Sequence, residues 1–146
     1  MGKILIAIDY DESAQRVAKA GYELAKAMNA EVILLHVLHE KPSYYIESSS
    51  VYEMHISHLE DLKLSIQKFM ERTKKHLGDK SILTIIEEGE IAETIITTAK
   101  RLGADVIVMG THSRKWPENI IIGSDAKAVL KKATIPLYIV PIKNYS

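Results

Sequence analysis

Apolar residues fall along this chain in two alternating rhythms. Lys3 to Asp9 (KILIAID) is a near-continuous apolar run that stops at a carboxylate, and Glu31 to Leu38 (EVILLHVL) is a second. Such runs mark strands buried on both faces, as in a parallel sheet, rather than the in-and-out alternation of a half-exposed strand. Between them Val17, Gly21, Leu24 and Met28 recur at helical spacing, with Ala14, Ala18 and Ala25 beside them. The polar cluster Asp11-Glu12-Ser13 supplies helix-start chemistry without showing which residue caps. His39 to Ser50, with Pro42 and three successive serines, reads as a loop. From about Val51 a long helix follows, with Leu62, Ile66, Phe69, Met70, Thr73 and Leu77 on one face. Gly78 is its stop, because glycine tolerates the left-handed geometry of a helix end. The pattern then predicts a strand over Ser81 to Glu87 and a helix over Glu90 to Leu102, using Ile91, Ile95, Ala99 and Leu102 and ended by Gly103. A fourth strand, Ala104 to Gly110, a helix from about Ser124 to Ala133 and a short strand, Leu137 to Ile142, complete the series.

Strand and helix alternate to the end, which predicts an α/β domain built on a doubly wound, open parallel sheet. Right-handed crossovers place helices on both faces. The 146 residues fit one domain, residues 1–146, since a domain typically spans roughly 100–200 residues. A chain of this size buries about 68–70% of its unfolded surface and needs no staples. There is no cysteine, hence no disulfide, thiolate metal site or cysteine nucleophile. With 19 basic and 19 acidic side chains the net charge is zero, which argues against a general nucleic-acid binder. No apolar stretch reaches the roughly 18 residues of a membrane span. The totals predict a soluble cytoplasmic protein with no nucleic-acid or membrane partner. Met28, Met54, Met70 and Met109 read as core filler.

Ligands of open α/β sheets bind at the carboxyl ends of the strands, where strand order reverses. The residues that follow the strands are Asp9 and Asp11, Val37 and His39, Glu87 to Glu90, and Gly110 to Asp125. No two of the seven glycines lie two positions apart and none precedes a lysine in a Walker A arrangement, so the dinucleotide fingerprint and the P-loop are both excluded. Gly110 and the pair Gly123-Ser124 remain. A glycine at a strand end lets a ligand approach the backbone, and a helix start exposes amides that favour an anion. Spacing alone also accommodates a plain turn at Gly110 and a plain N-cap at Ser124, and by itself favours that simpler account.

The opening ILIAIDYDES, the segment VIVMGTHSR and the closing GSDAKAVLKKATIPLYIV together resemble the universal stress protein family over essentially the whole chain. The glycine motif of its nucleotide-binding members, G-x2-G-x9-G-[ST], falls on Gly110, Ser113, Gly123 and Ser124, with the spacing kept and one glycine replaced. The resemblance implies a fold of the adenine nucleotide alpha-hydrolase type, five strands in the order 3-2-1-4-5. It implies adenine between the ends of strands one, two and four, against Ala7, Ile8, Met109 and Gly110, with the Val37 backbone reading the base edge. Asp9 would face the ribose or a metal, and Ser113, Arg114, Gly123, Ser124 and Asp125 the phosphates, with His112 beside the pocket. The implied ligand is ATP or another adenine nucleotide, with Mg2+ or Mn2+, whose binding orders the 111–122 loop for a protein partner to sense. Family members commonly dimerise through the last strand. The resemblance therefore implies a homodimer through Leu137, Tyr138, Ile139 and Val140, with Pro141 confining the pairing to the residues before it.

Three departures from the family pattern bear on the ligand. Ser113 adds a Cβ where a glycine lets the loop wrap the phosphates. Asp125 stands where an apolar residue is usual; there it favours the empty helix end and repels a phosphate, unless a cation bridges them. Trp116-Pro117 makes the loop bulky and stiff, while Arg114 and Lys115 bring cations to it. The alternative is a non-binding member, a dimeric scaffold acting through protein contacts.

Other classes fit less well. A phosphorylation-switched receiver domain finds imitations in Asp9, Asp11, Thr111 and Lys143, but strand three ends in Glu87-Glu88 with no acceptor aspartate. No Ser–His–acid order points to a triad, so no catalytic residue is assigned and slow ATP hydrolysis is the most the chain offers. His55 and His58 share a helical face with Glu53 and Asp61 nearby, the makings of a surface metal site, but an i,i+3 pair without a third ligand reads rather as solvated or packed histidines. His36 reads as a buried, hydrogen-bonded strand residue, and Tyr44-Tyr45-Ile46 as an ordinary exposed loop.

Overall fold

The computed structural model describes residues 2–39, 49–112 and 122–142, with side chains described outside 49–57. Met54, His55 and Glu53 side chains, Tyr44-Tyr45-Ile46, the 113–121 segment with Ser113, Arg114, Lys115, Trp116 and Pro117, and Lys143 lie outside it. The elements run β1 (Lys3–Ala7), α1 (Ser13–Met28), β2 (Glu31–Leu38), α2 (Ser49–Leu77), β3 (Leu83–Glu88), α3 (Ile91–Leu102), β4 (Val106–Gly110), α4 (Ser124–Lys132) and β5 (Leu137–Val140). The strands form one all-parallel sheet in the order β3-β2-β1-β4-β5.

Each buried strand supplies side chains to both faces, which explains its unbroken apolar run. Ile4, Ile6, Leu34 and Val108 pack with Val17, Ala18, Ile66 and Met70 beneath α1 and α2. Leu5, Ile33, Leu35 and Ile107 pack with Ile95, Ala99 and Val129 beneath α3 and α4. Gly21 lets α1 lie close to the sheet: a Cβ there would stand 2.6 Å from Ile6 Cδ1. Gly78 ends α2 with φ 71°, its amide bonded to the carbonyls of Lys74 and Lys75. Among the described residues no helix is long and apolar enough to cross a membrane.

Several element ends differ from the periodic reading, each for a local reason. β1 stops at Ala7; Ile8 still donates to the Leu35 carbonyl at 2.9 Å before the chain leaves the sheet. β3 begins at Leu83 rather than Ser81, because Asp79 accepts from both the Ser81 amide and hydroxyl and folds that stretch into a turn. β4 begins at Val106, since the Asp105 carboxylate accepts from the Lys3 amide at 2.8 Å and fixes the approach to the strand. β5 ends at Val140, beyond which the Ile142 amide turns to Thr111 Oγ1. α2 begins at Ser49. At the start of α1 the side chain of Asp11 accepts from the Ser13 amide and hydroxyl, while Glu12 at the cap position makes no side-chain cap bond. Met28 is a correction: it is 43% exposed, because α1 ends there and Asn29 turns the chain back toward β2.

Candidate functional site

β1 leads on to β2 on one side of the sheet, and β4 lies on the other, so the carboxyl ends of β1 and β4 diverge at the reversal of strand order. A cleft of about 160 Å³ opens there. Its apolar wall comes from Ala7 and Ile8, Val37 at the end of β2, and Met109 in β4; its rim carries Asp9, Gly110, His112, Gly123, Ser124 and Asp125. Ile91, Ile95, Thr111 and Ala126 also line it. The sequence reading used Ile91 and Ile95 only as core. Their four-residue spacing was the available signal, since one helical face here serves both the core and the cavity.

The two glycines of the site each have a packing role. A Cβ on Gly110 would stand 3.0 Å from Ile142 Cγ1 and 3.1 Å from Val17 Cγ2. Both belong to the core under α1 and α2, whereas the cavity is walled by residues of the other core, Val37, Met109 and Ala126. Packing alone therefore suffices to explain the absent side chain of Gly110, which also lines the cavity. Gly123 is the N-cap of α4, its amide donates to the Thr111 carbonyl at 2.6 Å, and a Cβ would meet His112 Cβ at 3.0 Å. Ser124 is therefore not the cap, and no side chain caps the helix. The helix-start amide of Gly123 is already engaged, while those of Ser124 and Asp125 have no partner among the described residues.

Carboxylates dominate the rim. Asp9 is open to water through the mouth yet crowded by protein, and burial, with the charges of Asp11 and Asp125, pushes its pKa up to about 6. Burial, then the charge of Glu90, also raises Asp125, while His39 opposes the rise. Glu90 caps α3: its two carboxylate oxygens accept from the amides of Ala92 at 3.2 Å and Glu93 at 2.8 Å. The Glu93 amide chiefly holds its carboxyl below the usual range. Beside it His39 donates from Nδ1 to the Gly89 carbonyl at 3.1 Å. Among the described residues no three His, Asp or Glu side chains converge to hold a metal ion by themselves. Mg2+ commonly rests on one or two carboxylates plus substrate phosphates, and Asp9 and Asp125 fit that lesser role.

The family model described as the universal stress protein family matches residues 1–141. Universal stress protein MJ0531 of Methanocaldococcus jannaschii is 33% identical over 94% of this chain and 81% of its own length. The solved structure of protein MJ0577 from the same organism superposes with a TM-score of 0.77 at 33% identity, covering 99% of this chain and 98% of that one. A universal stress protein from Archaeoglobus fulgidus, solved in complex with dAMP, shares the fold with a TM-score of 0.64 at 19% identity over 95% of this chain and 97% of its own.

Proposed function

The chain belongs to the universal stress protein family, and from that premise we propose that it is a regulatory protein that binds an adenine nucleotide as a homodimer. The observation that carries this reading is the cavity at the sheet's reversal point, apolar within and bounded by the first turn of α4. An adenine ring fits such a slot, with its edge toward the Val37 backbone. Ribose hydroxyls would donate to Asp9, and phosphates would approach the Ser124 and Asp125 amides. ATP placed there is accompanied by Mg2+ or Mn2+, whose charge offsets the phosphates beside Asp9 and Asp125. The dAMP complex of a protein with this fold supports the choice of ligand class.

The dimer would form through the outer edge of β5. Thr111 donates to the Val140 carbonyl and Ile107 to the Pro136 carbonyl, so the even-numbered positions face β4. The backbone of Leu137 and Ile139 then turns outward. Exposed Tyr138 and half-buried Leu137 and Ile139 flank that edge, and an open apolar edge invites a second chain.

A second reading, a dimeric scaffold with no nucleotide, is favoured by Asp125 at the helix start. Two measurements decide between them: analysis of nucleotide released from the denatured purified protein, and calorimetric titration of ATP with and without Mg2+. Released adenine nucleotide or saturable ATP binding supports the first reading; neither supports the scaffold.

A further inference from the structure

Resting on the homodimer reading, we infer the register of its interface: Tyr138 faces the partner's Tyr138 on the two-fold axis, and Leu137 pairs with Ile139 of the partner subunit. β5 is the last strand on its side of the sheet. A two-fold axis normal to the sheet lays a second β5 antiparallel beside it and keeps α1 on the same face in both copies. The backbones of Pro136, Tyr138 and Val140 turn toward β4, and those of Leu137 and Ile139 turn outward. Hydrogen-bonded pairs across the axis must therefore match odd positions with odd.

The two prolines choose among the registers that remain. Setting Leu137 against the partner's Ile139 uses every outward amide and carbonyl of both residues. A shift that puts Ile139 on the axis sets Leu137 against Pro141, which has no amide hydrogen. The Pro141 carbonyl, moreover, already accepts from Arg16 Nε at 2.8 Å. The opposite shift puts Leu137 on the axis and sets Ile139 against Ile135, which lies before Pro136 and outside β5.

In this register Tyr138 occupies a non-hydrogen-bonded position, where facing Cα atoms approach to about 4.5 Å. Its side chain is 42% exposed and stands on the α1 face. There a groove of about 300 Å³ runs between β5 and α1, lined by Arg16, Lys19 and Glu23. Two rings brought together at its mouth pack offset or edge to face and cover the aliphatic stems of Arg16 and Lys19. On the opposite face Leu137 and Ile139 are half-buried against the core under α3 and α4. Their pairing carries that core across the axis.

The chain has no cysteine, so single-cysteine variants of the full chain read the register directly. Tyr138→Cys brings two thiols within reach, since bridged Cα atoms lie about 4.4–6.8 Å apart. Leu137→Cys and Ile139→Cys hold theirs roughly 8 Å apart, two strand positions out of step. After mild oxidation, non-reducing electrophoresis should show at least tenfold more covalent dimer for Tyr138→Cys than for either. Lys75→Cys, exposed on α2, supplies the collisional background, and light scattering reports the state of the unaltered protein. Equal or greater crosslinking of Leu137→Cys or Ile139→Cys overturns the register and leaves the homodimer intact. A dimer in which Tyr138→Cys does not exceed Lys75→Cys overturns it as well. A monomeric unaltered protein overturns the homodimer reading itself.

Discussion

The Nδ1 atom of His36, in β2, donates to the carbonyl oxygen of Ile8 at 2.8 Å, tying the second strand to the chain as it leaves the first. A carbonyl only accepts, so this bond puts the ring proton on Nδ1. Burial lowers the His36 pKa, against the opposing effects of the Ile8 bond and Asp11. The folded protein therefore holds fewer protons there than the unfolded chain. The stability this contributes is full above the unfolded pKa of about 6.5 and is lost as pH falls through it. His36→Gln should show a shallower loss of stability between pH 7 and pH 5 than the unaltered protein, measured by urea denaturation. An equal slope would count against a neutral His36.

Asp9 acts with the opposite sign. Its pKa is raised from 3.8 to about 6, so the folded state holds the extra proton, and stability is lost as pH rises through that interval. Asp9→Asn should gain on the unaltered protein progressively from about pH 4 to pH 7. Because the side chain opens to water, the swing should be smaller than the displacement alone implies. Parallel stability curves for the two proteins across this range would show that the carboxyl is not strained.

Gly21 offers a test of packing in which local preference and tertiary fit disagree. In an exposed helix interior, alanine in place of glycine gains about 1 kcal/mol. Here the new Cβ would meet Ile6 Cδ1 at 2.6 Å and Val108 Cγ1 at 3.2 Å. Gly21→Ala should instead destabilise by about 1–3 kcal/mol, and Ile6→Val in the same chain should recover part of the loss. A stabilised Gly21→Ala would refute the close seating of α1.

Ile139→Pro addresses the dimer. The outward amide at this position is free of β4 pairing, so proline removes the donor that a partner strand would use, together with the Ile139 side chain that packs against the core under α3 and α4. Light scattering should find the unaltered protein dimeric and Ile139→Pro monomeric, while Ile139→Ala, which loses the same packing but keeps the amide, should stay dimeric. A monomer before substitution would end the proposal.

Asp125→Val should separate stability from affinity. Loss of the carboxylate from the first turn of α4 gives up about 0.3–1 kcal/mol of helix-end stabilisation but relieves a charge that burial and Glu90 disfavour, so the Tm of the empty protein should hardly change. Affinity for a phosphate-bearing ligand should rise at the same time. Unchanged affinity would show that repulsion is not the obstacle.

Much of the architecture was readable because it rests on repeating patterns. The unbroken runs at Ile4–Ile8 and Val32–Leu35 are what burial between two helical layers requires, and Gly78 and Gly103 marked helix ends where φ is 71° and 70°. What escaped was decided by single side chains. Asp79 and Asp105 bind nearby backbone or hydroxyl groups and move strand starts, competition that leaves no period. Glu90 caps α3 although glutamate is outside the favoured N-cap types. Spacing located Gly110 at the site but carries no information on which face its missing Cβ occupies. The partnership of Asp125 with Glu90 and His39 joins two helix starts and a strand end distant in sequence, which only the folded chain brings together.

The bond from the Gly123 amide to the Thr111 carbonyl has a corollary. It fastens the chain on either side of residues 113–121 to each other, so β4 and α4 keep their seats whatever the intervening sequence is. Doubling the length of such a tied excursion costs only about 0.6 kcal/mol of closure entropy. Changes in the length of that stretch should therefore leave the sheet beneath as it is.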